Sequence, residues 1–382
     1  MSFGVSACRL QPRRAARAAA RTGRWSAFLL RRRLMQVPTP LETLIDIPNA
    51  LAEDRTYFQP DETAAALGYY RREGYVVIRG LLPAALCDDI RAAFHAQVRP
   101  SATPILRQKN MRYERNRFDA DGFLANPIFN VQDLQTSRHG RFRERALAAV
   151  TQARVGALTS ALIGAGRTKL IQTMFFEAPA GTWAHQDSYY QDSAVALGRC
   201  IAGWYALEDV HAAAGRFYVC PRSHVTVPVL RNAGEYDFAT GHDRYRRAVL
   251  EVMRREGLEI RAPFLAKGDV LFWNSLTVHG SFAPAGRGVS RASLTAHYLP
   301  EGDDMLQFHT RVRHQRMITV NGMPVAQLHD QDRLGNRLVR GIAAHAPGPW
   351  AAARKLAMRG LFLAGKMRRR REAAQGQVSP AE

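Results

Sequence analysis

His185 and Asp187 sit two residues apart in the stretch AHQDSYY. In extended chain that spacing puts both side chains on one face. An imidazole beside a carboxylate supplies two ligands for a divalent metal. The best third ligand is His279 in TVHGS, directly after the strand-like GDVLFWN. Two histidines and one carboxylate on one face leave the opposite coordination positions open, as non-haem Fe(II) requires to take up O2 and a co-substrate. His185, Asp187 and His279 are therefore the expected metal ligands and catalytic set. A lone His-x-Asp pair is commonplace in surface loops, so the reading rests on all three together.

Arg291 lies 12 residues past His279, enough for the turn APAGRG and a return on a neighbouring strand. A buried guanidinium there would clamp a carboxylate through two parallel charge-assisted bonds. The plain alternative is a structural ion pair. Ser281, on the face of His279, would add one hydrogen bond. His224 in CPRSHV reads as part of a turn. His297 is spaced to face the interior and reads as a packed core imidazole, not a ligand. Gln172 shares a strand face with Met174, and its reading stays open between a substrate or co-substrate contact and a buried, satisfied amide. Tyr189 alternates toward the ligands and is the expected substrate contact, while Gln186, Ser188 and Tyr190 alternate away.

These residues need elements to hold them. DETAAALGYYRREG reads as a helix stopped by Gly74, and folded sequence is expected to begin near Asp61. YVVIRG, residues 75–80, is a strand. Behind Pro83, Leu86, Ile90, Phe94 and Val98 recur every four residues and define a one-sided helix. Residues 143–163 read as one further helix. From residue 168 the chain turns to short aromatic and β-branched runs separated by Gly, Pro and Asp. That pattern indicates a sandwich or barrel, and helices followed by strands indicate an α+β fold.

With 382 residues, 46% hydrophobic and 23% charged, the chain can bury a sizeable core and is too apolar for wholesale disorder. It has no apolar run of the roughly 18 residues a spanning helix needs. Cys8, Cys87, Cys200 and Cys220 form no CxxC. That excludes a dense disulfide framework or a zinc finger and suits a reducing, cytoplasmic compartment. The net charge of +21 is concentrated at the ends: residues 1–40 carry +9, residues 351–382 carry +6, and +6 is left for the 310 between. No helix-turn-helix, RNP or zinc-finger pattern accompanies it, so no sequence-specific nucleic-acid partner is expected.

Four segments follow. Residues 1–40 are a basic N-terminal extension, read as a flexible arm or as sequence preceding a true start at Met35; a transit peptide is the less favoured alternative. Residues 61–300 are the catalytic domain, residues 301–345 an extension expected to carry specificity, and residues 346–382 a basic amphipathic tail. In that tail Trp350, Leu356, Leu361, Leu363 and Met367 alternate with Arg and Lys. The stripe fits either peripheral contact with anionic lipid or packing of a helix on the barrel.

The motif series GYVVIRGLLP, QTMFFEAPAG, AHQDSYY, GWYALED, GRFYVCPRSH, GDVLFWNSLTVHGS and SRASLTAHY resembles the phytanoyl-CoA dioxygenase family of Fe(II)/2-oxoglutarate oxygenases, over roughly residues 61–300. The resemblance implies a double-stranded β-helix (a jelly-roll, cupin-like core) flanked by helices. It implies His185, Asp187 and His279 as iron ligands and Arg291 on the far carboxylate of 2-oxoglutarate. Met174 and Trp204 would line the co-substrate pocket and Ser281 would hydrogen-bond the co-substrate. A lysine that some members use upstream of QTMFFEA has no counterpart placed here. Related halogenases lack the carboxylate that Asp187 provides, so its presence argues against halogenation.

The expected activity is Fe(II)-, 2-oxoglutarate- and O2-dependent hydroxylation of an unactivated C–H bond. The substrate would be a small molecule or a carrier- or CoA-linked thioester. The alternative is a degenerate jelly-roll binding protein, recruited to membranes or polyanions by its basic ends. That alternative would be favoured by loss of a ligand.

Overall fold

A computed structural model describes residues 34–54, 57–232 and 234–374. Expectations for residues 1–33 and 375–382 lie outside the described residues. Eight strands make the core. They are β1 (Tyr75–Ile78), β2 (Thr168–Phe176), β3 (Thr182–His185), β4 (Ile201–Ala206), β5 (Phe217–Val219), β6 (Val270–Asn274), β7 (His279–Ser281) and β8 (Ser293–Pro300). The larger sheet runs β2-β8-β4-β6-β1, antiparallel at every pairing. The smaller runs β5-β7-β3, also antiparallel. Two such sheets with helices on one flank are the expected double-stranded β-helix, in an α+β setting.

The strands β1, β4 and β8 are buried along their whole length. Alternate residues therefore serve two different cores. On the outer face of the large sheet, Phe175, Ile201, Tyr205, Phe272, Leu294 and Tyr298 pack against Ile90, Phe94, Phe142 and Leu158 of the helices. On the inner face, Tyr75, Val77, Ala202, Trp204, Leu271 and Trp273 meet Phe217 and Val219 of the small sheet. Burying a side chain of this size contributes about 1.5–3 kcal/mol. Both faces are thus fixed, and a one-residue slip would exchange them.

The helices are α1 (Thr63–Glu73), α2 (Ala84–Ala93), α3 (Thr136–Val150), α4 (Ala153–Ile163), α5 (His242–Arg255), α6 (Leu334–His345) and α7 (Pro347–Ala374). Gly74 ends α1 in the left-handed region, φ 78°, and returns its N–H to the Tyr70 carbonyl. The single helix expected over 143–163 is instead α3 and α4, bent by 46°. Thr151 bonds its hydroxyl back to the Leu147 carbonyl, and Gln152 is extended. A back-bonding Thr and an extended residue end one helix and start the next.

Folded structure begins before Asp61. Leu34–Pro38 and Leu44–Pro48 form a hairpin, and Val37 and Ile47 enter a core with Tyr189, Tyr245 and Phe282. The boundary expected at 300 is also corrected. Met305–Gln307 pairs with Gln191–Ser193 and with Arg311–Arg313. The hairpin Arg316–Val320 and Met323–Gln327 joins the edge of β2 through Val325 and Leu170. Residues 305–313 therefore build a separate three-stranded sheet with Gln191–Ser193, and residues 316–327 extend the large sheet. In the tail, Leu356, Leu363 and Met367 are exposed, so they are not packed on the barrel.

Candidate metal centre

His279 and His185 are direct cross-strand partners on β7 and β3, with ring centroids 4.3 Å apart. The chain leaves β3 at His185 and passes an extended Gln186, and Asp187 opens a one-turn 3-10 helix. Asp187 Oδ1 then lies 3.6 Å from His185 Nε2 and 3.5 Å from His279 Nε2. One donor atom from each of the three falls within 4.8 Å of the others. The remaining ring nitrogens are occupied: His185 Nδ1 donates to the Trp183 carbonyl and His279 Nδ1 to the Thr277 carbonyl, each at 2.9 Å. Those bonds fix the tautomer and leave both Nε2 lone pairs facing Asp187.

The second carboxylate oxygen is held from the large sheet. Asp187 Oδ2 accepts from Trp273 Nε1 at 2.8 Å and from His297 Nε2 at 3.3 Å. Trp273, Ala202, His297 and Gln172 are one cross-strand row through β6, β4, β8 and β2. Burial alone would raise the Asp187 carboxyl, but His279 and His297 outweigh it and hold it well below the usual carboxylate range. Burial, then His279, lowers His185 and keeps it neutral. Two imidazoles with Nδ1 committed to backbone carbonyls, and a carboxylate whose second oxygen is held, fit a divalent metal. Gly280, between His279 and Ser281, permits this close packing. A methyl group there would lie 2.5 Å from the Tyr218 hydroxyl and 2.8 Å from the Thr182 carbonyl.

Leu271, Trp204, Thr295 and Met174 form the next row on the same inner face. Arg291 stands two residues before β8 and is buried. Its guanidinium donates to the carbonyls of Gly215 and Ala180, and Nε has no partner. Among the described residues no carboxylate pairs with it, so the structural ion pair is not what this arginine makes. Burial lowers it to about 10. A buried cation without a counter-anion, on the strand that follows His279, fits a carboxylate ligand. Ser281 bonds Thr182 across the small sheet. Gln172 is half-buried beside His297, its cross-strand neighbour.

Two expectations change. Tyr189 is 1% exposed; it stacks on Tyr245 at 3.6 Å and bonds the Tyr236 carbonyl. It is core. Tyr190, expected to point away, stands edge-on to His185 at 5.6 Å. The cause is the 3-10 turn at Asp187, which ends the two-residue alternation. His297 is packed as expected and is no ligand, yet it positions Asp187, as does Trp273. The inward parity of HYL and FWN was the available signal. His224 takes no part, its Nε2 lying 3.2 Å from the Arg71 carbonyl.

The model of the phytanoyl-CoA dioxygenase (PhyH) family matches residues 70–292. The chain belongs to the phytanoyl-CoA dioxygenase family. The donor set of His185, Asp187 and His279 fits Fe(II), and a buried Arg291 without a carboxylate partner among the described residues fits 2-oxoglutarate. No curated protein matches the sequence. Among solved structures it is similar to the carbocyclase SnoK from nogalamycin biosynthesis, at 19% identity over 66% of this chain and 89% of that one, TM-score 0.48. It is similar to the epimerase SnoN, crystallised with Fe3+, alpha ketoglutarate and nogalamycin RO, at 21% over 64% and 86%, TM-score 0.47. It is similar to EctD from S. alaskensis with bound Fe, at 18% over 72% and 86%, TM-score 0.45.

Proposed function

We propose that this family member is a dioxygenase that hydroxylates an unactivated C–H bond of a small-molecule or carrier-linked substrate. His185, Asp187 and His279 would hold Fe(II), and Arg291 the far carboxylate of 2-oxoglutarate. The observation that carries the reading is the convergence of His185 Nε2, His279 Nε2 and Asp187 Oδ1 on a strand framework that also buries an arginine with no carboxylate partner among the described residues. Bound Fe(II) with 2-oxoglutarate supplies O2 activation coupled to oxidative decarboxylation of the co-substrate.

The chain's own residues do the rest. Trp183 and Thr277 carbonyls keep both imidazoles in the ligating tautomer. His279 and His297 keep Asp187 ionised, and Trp273 and His297 hold its Oδ2 so that Oδ1 turns toward the histidines. Arg291 orients the co-substrate, and a guanidinium gives two aligned bonds where a lysine would give a point charge. Trp204 and Met174 keep water from the pocket, Ser281 adds a hydrogen bond, and Gln172 borders the same space. The degenerate-scaffold alternative needs a missing ligand, and none of the three is missing. Anaerobic addition of Fe(II) and 2-oxoglutarate should give a weak visible charge-transfer band. Succinate release over a substrate panel should then rise with a true substrate. No band in metal-loaded protein would refute the assignment.

A further inference from the structure

We infer that the substrate carries a planar aromatic ring and that Trp183, Tyr190, Phe238 and Phe308 form the surface on which that ring lies. The inference rests on His185, Asp187 and His279 being the reacting centre. From His185 outward, rings follow one another. Tyr190 is edge-on to His185 at 5.6 Å, Phe238 lies 6.0 Å from Tyr190, and Phe308 stacks on Phe238 at 4.8 Å and 21°. His242 meets Phe238 at 5.2 Å and Trp183 at 5.4 Å.

Single exposed apolar side chains are ordinary. Here the exposed ones are clustered against a metal ligand: Trp183 is 42% and Phe238 44% exposed. Directly beneath them Tyr189 and Tyr245 are buried and stacked. The cluster therefore has a closed inner layer and an open outer one.

The open layer is held rigid. Asn232, 2% exposed, ties three segments together: its Nδ2 donates to the Tyr189 carbonyl, its Oδ1 accepts from Phe238 N, and its own N–H donates to His309 Nδ1. Phe308 N donates to the Tyr190 carbonyl at 2.9 Å. Phe308 and His309 both have φ 51°, a left-handed conformation that bulky residues avoid. Such strain persists where the surroundings over-determine it, and it concentrates at ligand clamps.

The polar atoms of the cluster bond one another. Trp183 Nε1 donates to the Tyr190 hydroxyl at 3.1 Å. That hydroxyl pairs with His242 Nε2 at 3.0 Å, and burial, then Arg246, lowers the His242 imidazole. What the surface offers outward is π-face and ring edge, with the Arg246 guanidinium lying 4.9 Å over the Trp183 ring. Aromatic rings are recognised by such surfaces through stacked or edge contacts, whereas sugars and phosphates need free donors.

The test uses the full chain loaded with Mn(II) or Zn(II), and 2-naphthol as the probe, with decahydro-2-naphthol as the puckered control. Proton relaxation of 2-naphthol should be faster with Mn(II) than with Zn(II), and decahydro-2-naphthol should bind more weakly. Trp183→Ala with Phe238→Ala should weaken 2-naphthol about ten-fold, from two lost ring contacts, and Phe238→Tyr should restore binding. Leu338→Glu, on the exposed face of α6, should change nothing. Equal binding of the two probes, indifference to the double substitution, or loss on Leu338→Glu would overturn the inference. Should Mn(II) itself fail to bind, the metal assignment fails with it, while the dependence of 2-naphthol on Phe238 still decides whether the surface binds rings.

Discussion

Around Asp187 the contacting side chains come from regular strands: His185 from β3, Trp273 from β6, His279 from β7 and His297 from β8. Beside His185, the aromatic surface takes Trp183 from β3 and the rest from less regular chain: the residue after a one-turn helix, an irregular loop, the start of α5 and a hairpin tip. The two regions share one ligand and differ in how they are fixed. Strand pairing sets the first, so each residue's position follows from register. Loop-to-loop hydrogen bonds through Asn232 set the second, so its shape is free to vary without disturbing the sheets. Reaction type belongs to the first region and substrate choice to the second.

The largest effect should come from breaking the strand-built half. Changing Asp187, His185 or His279 to Ala should abolish substrate-dependent 2-oxoglutarate turnover and leave the circular-dichroism spectrum intact. Full activity in any one variant would remove that residue from the ligand set.

Arg291 separates co-substrate from metal. Truncating one side of a buried charged pair costs about 2–5 kcal/mol, so Arg291→Ala should weaken 2-oxoglutarate binding at least about 30-fold. Arg291→Lys should be intermediate. Mn(II) affinity without co-substrate should hold. Calorimetric titration of 2-oxoglutarate into the Mn(II)-loaded protein measures this. An unchanged affinity would mean that another group takes the far carboxylate.

His297 should show the opposite split. It reaches the metal only through Asp187 Oδ2, and loss of such a partner typically costs about 10- to 100-fold in metal affinity. His297→Phe should therefore weaken Mn(II) by that order, with the effect on 2-oxoglutarate following only from the metal. If Mn(II) affinity is unmoved, the bond to Asp187 is packing alone, and the plain reading of His297 as core was complete.

The two regions were also unequally legible in the sequence. The jelly roll and the facing of His185 and His279 announce themselves because two-residue alternation survives in β3, β7 and β8, and alternation converts spacing into facing. It fails where the chain stops being extended. Asp187 begins a 3-10 turn, so parity exchanged Tyr189 and Tyr190. Residues 305–327 looked like an appendage because Arg311, Arg313 and Arg316 break the apolar pattern. Yet their backbones complete two sheets, and backbone pairing leaves little mark on side-chain type. The hairpin at residues 34–48 was masked by the arginine-rich segment before it and by Pro38, Pro40 and Pro48. Phe308 could not be placed at all, since only the hairpin of Met305–Gln307 and Arg311–Arg313 brings it to Phe238.

The smallest effect tests where the core stops and the substrate surface starts. Tyr189 was the residue that alternation offered to the substrate, and the structure seals it beneath Tyr190. Its hydroxyl has one acceptor, the Tyr236 carbonyl at 2.7 Å, and its ring lies flat on Tyr245 at 3.6 Å. Tyr189→Phe keeps the stacked ring and loses one hydrogen bond, worth about 0.5–1.5 kcal/mol net. Tyr236 lies in a segment without buried residues, so water can reach its carbonyl and the cost should fall at the lower end. For a chain of this length the melting temperature should drop by only about 1–2 °C. Affinities for Mn(II), 2-oxoglutarate and 2-naphthol should stay within about two-fold, a limit of roughly 0.4 kcal/mol. Tyr190→Phe provides the contrast: it removes the hydroxyl shared by Trp183 and His242, so it should loosen 2-naphthol while leaving Mn(II) alone. If Tyr189→Phe moved 2-naphthol and Tyr190→Phe did not, the side chain facing the substrate would be Tyr189, and the division between a sealed inner layer and an open outer one would be drawn in the wrong place.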